Sequence, residues 1–569
     1  MDNQRLLIWA LFGLMAWFTY QAWRQDYGPQ PQPPLPADAT PQPIPDTDAL
    51  PQLTDDALDA ASAPAMDDTP AVAADVGGPT IRVTTDVLEV EINTRGGAIS
   101  RATLLAYPVA KDRPDVLVEL LSPTDGQLGL IRTGLREGAG RAPNQSADLE
   151  VATDTYTLSS DTEIVVPLRW TSSDGIEIEK RLRFRRGSYA IGVEQQVTNK
   201  SATEWRGDAY AQIVRRWLPR ERSMFDVDSY SYDGPIIYDG DSSEKLDRDD
   251  LISDGPYEFR ADNGWLAVIQ HHFLSAVIPE RNEPHIFKVQ LDRDIATESV
   301  VGAPQSVTPG ASHTFTNTLF IGPKLQAQLE QIDKSLKLTV DYGWLTIISQ
   351  PLFWLLSRVH NFVGNWGVAI ILVTILIKLA FYKLTEASGR SMAKMRNLQP
   401  RLKALQERYK DDRQQLSQAM MELYKREQVN PAAGCLPILI QMPFFLAFYW
   451  VLLESVEMRQ APFALWITDL SSRDPYFILP LIMGAAMFFQ QKLNPQVGDP
   501  VQVKVMQIMP VMFTVFFAFF PSGLVLYWVT NTVLSIAQQW KINTVVEKEA
   551  KAQKAGKKPK SKNNKTEKD

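Results

Sequence analysis

Several residue types that carry chemistry are scarce in this chain of 569 residues, which has a single cysteine, Cys435, and five histidines. One cysteine can form neither an internal disulfide nor a cysteine-based zinc cluster. No G-x-x-x-x-G-K-[ST] phosphate loop is present, so no ATPase is indicated. His271, His272, His285 and His313 lie among predicted strands, where surface or packing roles are commoner than metal binding. We therefore predict no catalytic residue, no metal site and no small-molecule cofactor.

The long apolar segments also lack Asp, Glu and His near their centres, which argues against an ion-coupled transporter. These segments are long enough, or nearly so, to cross a bilayer. The first candidate is Leu6 to Tyr20, and the others are 366–384, 433–458, 475–491, 505–520 and 522–540.

The first apolar run follows Arg5 and is not followed by a small-x-small cleavage pattern. Both a retained anchor and a cleaved signal peptide fit such a run, and the Trp and Tyr at its outer end favour a retained transmembrane anchor over 1–24. Residues 25–78 are rich in Pro, Ala and Asp, so they predict an extended linker.

Short alternating runs such as "DVLEVEIN" and "IEIEKRLRFRR" fill the chain from Pro79 to about Pro323. Such alternation predicts half-buried strands, and its extent predicts one large β-sandwich. Leu325, Leu329, Ile332 and Leu336 then follow at helical spacing, so we expect a helix to complete a domain over 79–340. Residues 341–365 predict an amphipathic helix at the membrane surface.

Lys and Arg are concentrated in the segment 385–432, whereas 459–474 contains only Arg459 and Arg473. Because basic loops remain in the cytoplasm, this pattern places 385–432 there. The chain then has six spans, of which the first lies near the N-terminus and the other five lie within 366–384 and 433–540. Both termini are therefore cytoplasmic, and the C-terminal one includes the Lys-rich tail over 541–569. The β-sandwich is consequently expected outside the inner membrane.

Segment 385–432 carries apolar residues at alternating spacings of three and four. Met395 and Leu402 belong to the first run and Leu416 to the second, with Asp411 in the turn between them. This spacing predicts a helical hairpin. From charge alone, the hairpin is either a solvated spacer or a docking arm near anionic lipid or RNA.

Lys378 lies within the second apolar segment, where a buried charge costs about 2.5–3.5 kcal/mol. Either the side chain extends to the inner interface or it faces a hydrated cavity. Thr374, Gln441, Gln507 and Asn531 supply uncharged polar groups in the inner half of the membrane. Each of them can simply bond neighbouring helices, but together they can line a groove open to the cytoplasm.

Four long runs resemble the YidC family of Gram-negative membrane insertases, and one run in the β region resembles it too. The runs are "RSMAKMRNLQP", "QVNPAAGCLPILIQMPFFLAFYWVL", "EMRQAPFALWITDLSSRDPYFILP", "FFAFFPSGLVLYWVTNTVLS" and "TDVLEVEINTRGGAISRATLL". The resemblance implies a polytopic α-helical membrane protein with a five-helix insertase core, an N-terminal anchor helix and a large periplasmic β-super-sandwich domain. It also implies the activity of a membrane protein insertase and chaperone.

The resemblance further implies a functional positive charge in the groove, usually arginine, at the position of Lys378. The substrate-contacting positions that it implies are Thr374, Phe445, Met483, Phe516 and Trp528, with Gln441 lining the groove. Trp528 stands where the family frequently has tyrosine. The partners implied are nascent inner-membrane proteins, the SecYEG and SecDF translocon, the ribosome, the signal recognition particle receptor and the lipid bilayer.

Two other functions remain open from the residues alone. Large β-sandwiches often bind sugars, so the chain could be a membrane-anchored periplasmic carbohydrate-binding or carbohydrate-active protein. A solute channel would need a continuous polar path, whereas the polar residues of the spans cluster toward the inner half of the membrane.

Overall fold

A computed structural model of the chain describes residues 78–219, 231–409, 412–427, 436–493 and 500–556. The predicted N-terminal anchor, nearly all of the linker over 25–78, Asp411, Cys435 and the end of the tail lie outside these described residues.

The first part of the described chain consists mainly of β-strands. In chain order they are β1 (Thr80–Thr84), β2 (Leu88–Asn93), β3 (Ile99–Ala110), β4 (Arg113–Leu121), β5 (Gly129–Glu137), β6 (Thr155–Thr157), β7 (Glu163–Thr171), β8 (Ile176–Arg185), β9 (Ala190–Asn199), β10 (Trp205–Arg216), β11 (Asp233–Tyr238), β12 (Ser243–Lys245), β13 (Tyr257–Ala261), β14 (Trp265–Gln270), β15 (Phe273–Pro279), β16 (His285–Asp292), β17 (Ile295–Gly302), β18 (Gln305–Val307) and β19 (Ser312–Pro323).

The strands form two sheets. The larger has the order β13-β16-β17-β10-β5-β3-β2-β1-β6, with β18 paired to β10 and β4 to β3. The smaller has the order β12-β11-β14-β15-β19-β9-β8-β7. Side chains from both sheets belong to one hydrophobic core, so the predicted β-rich domain is confirmed.

Strand β8 shows why the sequence alternates. Ile176, Ile178, Leu182 and Phe184 are buried, while the residues at the odd-numbered positions between them are partly exposed. Successive side chains of a strand point to opposite faces, so one face of β8 forms core. Lys180 occupies the same inward face, which places a lysine in the hydrophobic interior.

The Lys180 amino group donates hydrogen bonds to two backbone carbonyls. Its Nζ donates to Gly97 O at 2.7 Å and to Thr133 O at 2.9 Å. Burial disfavours the charged form and lowers the pKa of Lys180 to about 7. A neutral amine has two N–H donors, which matches the two carbonyls.

This burial predicts a pH-dependent stability. The pKa of Lys180 is lower in the folded protein than in the unfolded chain, so between about pH 7 and pH 10 the unfolded chain binds more protons. The free energy of unfolding should therefore rise with pH across this window, by up to about 1.4 kcal/mol per unit. Lys180→Met should flatten that slope in urea unfolding followed by circular dichroism of the strands.

The exposed Lys200 provides a matched control, because it pairs with Glu177 at the surface. Lys200→Met should retain the slope of the parent protein. An equal slope in the Lys180→Met variant would contradict the assignment.

The rest of the described chain is mainly helical. The helices are α1 (Arg248–Ser253), inserted between strands, α2 (Gln326–Ile332), α3 (Thr346–Val363), α4 (Trp366–Ala380), α5 (Tyr382–Arg408), α6 (Arg413–Arg426), α7 (Leu436–Glu454), α8 (Ile478–Leu493), α9 (Pro500–Phe517) and α10 (Ser522–Gly556).

The helix predicted from Leu325 to Leu336 is shorter than expected. Helix α2 ends at Ile332, and a 3-10 helix covers Lys334–Thr339. Asp333 separates them in an extended conformation, and its side chain accepts a hydrogen bond from Ser335 N. The carboxylate thus starts a new helix instead of continuing the first.

Helix α3 ends at Val363, and the following Gly364 has a φ of 68°, the left-handed conformation that favours glycine at a helix end. One side of α3 is buried through Leu352 and Leu356, while Trp354 and Phe362 are exposed. This two-sided pattern has the amphipathic character expected for residues 341–365.

The apolar segment predicted as one helix over 366–384 is instead bent at Phe381. Helix α4 ends at Ala380, and the axis turns by 69° before the start of α5 at Tyr382. Among the described residues, no single helix is both long enough and apolar enough to cross a bilayer. The bent pair of α4 and the first part of α5, Tyr382–Met395, meets these two criteria when the helices are taken together.

Helices α5 and α6 form the hairpin, and Pro400 lies within α5 without ending it. Their shared cluster contains Met395, Leu398, Leu402, Leu423 and Tyr424. Leu416 is partly buried outside that cluster.

Helix α10 continues well beyond residue 540, where a tail was predicted to begin. Ile542 and Val546 pack on Ala393 of α5, and Arg390 pairs with Glu549 at 3.2 Å. Basic composition alone does not predict this extension, because the helix is stabilised by residues that are distant in the sequence.

Candidate functional site

A partly open cleft lies between helices α4, α5, α7 and α10. Its lining combines aromatic and aliphatic side chains with a few polar groups, as ligand clefts commonly do. The lining residues are Thr374, Ile377, Lys378, Phe381, Leu384, Thr385, Gln441, Phe444, Tyr527 and Asn531.

Lys378 is the charged residue of this lining. Its Nζ donates a hydrogen bond of 2.6 Å to Ser535 Oγ on α10. Ser535 Oγ in turn donates to Asn531 O at 2.7 Å, which leaves the oxygen lone pairs free to accept from the ammonium. The lining residues include no Asp or Glu, so within the cleft the positive charge is not neutralised by a carboxylate.

The bend at Phe381 changes the surroundings of Lys378. In the predicted helix over 366–384 the lysine was an interior residue, but in α4 it lies in the last turn. The free carbonyl groups at a helix C-terminus carry partial negative charge and stabilise a nearby cation. The helix end therefore favours a positive charge at this position.

A contact between α5 and α10 stabilises the bend. Thr385 Oγ1 donates to Phe381 O at 2.9 Å, and Gln538 Nε2 donates to Thr385 Oγ1 at 2.7 Å. The polar groups exposed by the break between the helices are thus partly satisfied across the cleft.

The other predicted polar residues of the cleft are also held by neighbours. Asn531 Nδ2 donates to Gln441 Oε1 at 3.2 Å, joining α10 to α7. Thr374 is buried, and its hydroxyl donates to Ile370 O within α4. The structure therefore brings Thr374, Lys378, Gln441 and Asn531 together.

Three predicted substrate-contacting residues lie in an adjoining aromatic cluster. The rings of Phe445 and Trp528 meet edge to face at 4.8 Å, and Phe517 contacts both. Phe516 touches Phe517 and is 56% exposed. Phe445, Phe516 and Trp528 are not among the lining residues of the cleft, although Phe444 and Tyr527 next to them are.

Two further predicted residues lie away from the cleft. Met483, on α8, is completely buried in the main hydrophobic core, and Gln507 is exposed on α9. Helical spacing indicated that both positions were in apolar helices, but it did not indicate which face met the cleft.

Sequence reasoning missed the aromatic lining residues Phe381, Phe444 and Tyr527. Residues in apolar helices look alike in sequence, and the bend that exposes Phe381 has no proline or glycine to indicate it. The role of Ser535 as the partner of Lys378 was not predictable from local sequence, because it depends on a contact across 157 residues.

Two models of known protein families match this chain, one in its β region and one in its helical region. A family model described as the YidC periplasmic domain matches residues 80–355, and one described as the 60Kd inner membrane protein matches residues 358–550.

Relatives match over nearly the whole length. The membrane protein insertase YidC of Thioalkalivibrio sulfidiphilus is 46% identical, covering 97% of this chain and 100% of its own. That of Nitrosococcus oceani is 45% identical, covering 96% and 100%. A crystal structure of an active YidC insertase with its first transmembrane domain resolved aligns at 18% identity with a TM-score of 0.38, covering 81% of this chain and 92% of that one. By its identity to full-length relatives, this chain belongs to the YidC family of membrane protein insertases.

Proposed function

We propose that this protein inserts apolar segments of nascent inner-membrane proteins into the bilayer and acts as a chaperone while they fold. The observation that carries the proposal is the Lys378 ammonium in a cleft lined by no carboxylate. Relatives of similar length that bear the name membrane protein insertase support it.

In the proposed mechanism, Lys378 attracts the acidic hydrophilic segment of a substrate into the cleft. A lysine ammonium has three N–H donors, and one of them bonds Ser535. The other two remain for a substrate carboxylate or carbonyl. Lysine offers a compact charge where arginine would offer a planar fork, so we expect recognition of charge with little demand on orientation.

Partition of the substrate helix into lipid supplies the driving force. Burial of apolar surface contributes about 25 cal/mol per Å², so no nucleotide hydrolysis is required. Exposed apolar side chains of α8 and α9 offer a surface along which that helix can move; among them are Leu481, Phe488, Val511, Met512 and Phe516.

Short helices assist the same step in this proposal. Helix α8 has 16 residues and α9 has 18, fewer than the roughly 20 that a hydrocarbon core of about 30 Å requires. Such a mismatch thins the surrounding bilayer and lowers the barrier for a hydrophilic segment.

The proposed topology follows the distribution of basic residues. The hairpin over 385–432 and both termini lie in the cytoplasm, and the β domain lies in the periplasm. The five-helix core then comprises α4, α7, α8, α9 and α10, preceded by the anchor over 1–24. The protein acts without an enzymatic step.

The family resemblance supplies further proposed partners, namely the SecYEG and SecDF translocon, the ribosome and the signal recognition particle receptor. The basic exterior of the hairpin suits contact with anionic lipid or RNA.

Site-directed crosslinking tests whether substrate enters the cleft. A photoreactive residue is placed at Thr374, Phe516 or Trp528, and a ribosome-stalled chain carrying one apolar segment is presented to the protein in membranes. We expect crosslinks to the stalled chain from each of these positions, because they border the cleft and its aromatic cluster.

Phe362 on α3 is the matched control, since it is aromatic and 91% exposed but lies on another helix. Equal crosslinking from Phe362, or no crosslinking from Thr374, Phe516 and Trp528, would refute substrate entry at this site.

A further inference from the structure

The β domain contacts the end of a groove-lining helix through a buried ion pair. Lys324 follows β19 directly, and its Nζ lies 2.9 Å from Oε2 of Glu454, the last residue of α7. The two side chains are 1% and 9% exposed. The backbone of Lys324 is itself fixed, because its N–H donates to His272 O at 2.9 Å.

A buried pair of this kind constrains geometry more than it adds stability. Removing two charges from water costs about as much as their attraction returns, whereas breaking the pair leaves one charge unpaired in the interior. Glu454 is moreover unfavourable at the negative C-terminal end of α7, and the Lys324 ammonium offsets that repulsion. The pair therefore requires Glu454 to stay beside Lys324.

Residues next to Glu454 also contact the β domain or the segment that follows it. Tyr342 OH and Ser455 Oγ are 3.3 Å apart, and the His271 ring nitrogen lies 3.0 Å from Leu453 O. Consecutive residues at the end of α7 are thus bonded to the β domain or to the segment that follows it.

The loop after α7 is held in the same way. Arg459 Nη2 donates to Pro108 O at 2.8 Å, and Gln460 Nε2 donates to the same oxygen at 3.0 Å. Both bonds join this loop to β3. We call Lys324, Glu454, Ser455 and Tyr342 the interdomain clasp.

The other half of α7 lines the cleft. Gln441 precedes Glu454 by 13 residues, about 20 Å along a helix, and its Oε1 accepts from Asn531 on α10. A helix transmits an axial displacement along its length, so the position of Glu454 determines the axial position of Gln441 relative to Asn531.

We propose that Lys324 is a positioning residue for the cleft. Through Glu454 it holds α7 at a fixed position along the helix axis, so the β domain sets the geometry of a site near the other end of the helix. This inference rests on the proposed function of the cleft. It assigns the β domain a mechanical role in insertion.

Four variants of the full-length protein in nanodiscs separate this role from simple packing. Lys324→Met breaks the pair, and the charge swap K324E/E454K restores it in reverse. The double variant K324M/E454M replaces it by apolar packing of similar volume, and Lys200→Met controls for loss of a surface lysine. Amide hydrogen exchange of residues 436–445 reports the order of the cleft-lining half of α7, and reconstituted insertion reports activity.

We expect Lys324→Met to speed exchange in 436–445 and to reduce insertion, each by roughly threefold to thirtyfold, with recovery in the charge swap. The K324M/E454M variant should keep the unfolding midpoint of the parent protein. It should still show faster exchange and reduced insertion, because methionine side chains fill the space of the ion pair without fixing the axial position of α7. Lys200→Met should match the parent protein.

Unchanged exchange in a folded K324M/E454M variant would overturn the inference, whatever happens to insertion. Failure of the cleft proposal is distinguishable, because it would appear as full insertion by a Lys378 variant while the clasp variants still altered exchange.

Discussion

Replacement of Lys378 with methionine is expected to reduce insertion of single-span substrates by roughly ten- to hundredfold. A hydrogen bond to a charged group contributes about 1.5–3 kcal/mol, and about 1.4 kcal/mol corresponds to tenfold. Methionine keeps most of the side-chain volume, so the loss would report the charge and not a cavity. The measurement is protease protection of a substrate in proteoliposomes that contain this protein and no translocon.

This experiment has one control variant of the protein and one control substrate. Lys378→Arg retains the positive charge and should keep most of the activity. A substrate whose translocated segment is neutral should depend less on Lys378 than an acidic one. Full activity of the methionine variant toward the acidic substrate would eliminate the attraction step while leaving the fold assignment intact.

Replacement of Trp265 with alanine is expected to lower the free energy of unfolding of the β domain by about 3–5 kcal/mol. The indole is fully buried and stacks on Tyr238 at 5.5 Å, so its removal leaves a large cavity. Its Nε1 also donates to Ser335 Oγ at 2.8 Å, which joins β14 to the segment leading to the helices. Urea unfolding followed by circular dichroism of the strands measures the loss.

Two variants identify the source of that loss. Trp265→Phe retains an aromatic ring and should cost less than alanine. Trp344 is 77% exposed, so Trp344→Ala should leave the unfolding of the β domain nearly unchanged. Equal effects at Trp265 and Trp344 would show that burial does not govern the contribution of these residues.

Much of the β domain was predictable because its signal is local. Each strand repeats with a period of two, so the inward residues of β8 were recognisable from their neighbours alone. The same alternation put Lys180 on the inward face, but nothing local indicated the carbonyls of Gly97 and Thr133 that bond it.

The cleft was predictable in part. Polarity within apolar helices predicted Thr374, Lys378, Gln441 and Asn531 as one group, and the structure places all four in the lining of the cleft. The same reasoning did not separate them from Gln507, which lies on an exposed face of α9. The substrate-contacting roles of these residues stay predictions.

The sequence by itself determined the division into an alternating β region and apolar helices, the basic hairpin, and the presence of one lysine in an apolar segment. Tertiary structure alone decided that α4 ends beside that lysine, that Ser535 accepts its hydrogen bond, and that Lys324 meets Glu454. Composition and periodicity act over a few residues along the chain. Partners more than a hundred residues apart are instead selected by which helices and strands pack together, and that information is distributed over the whole sequence.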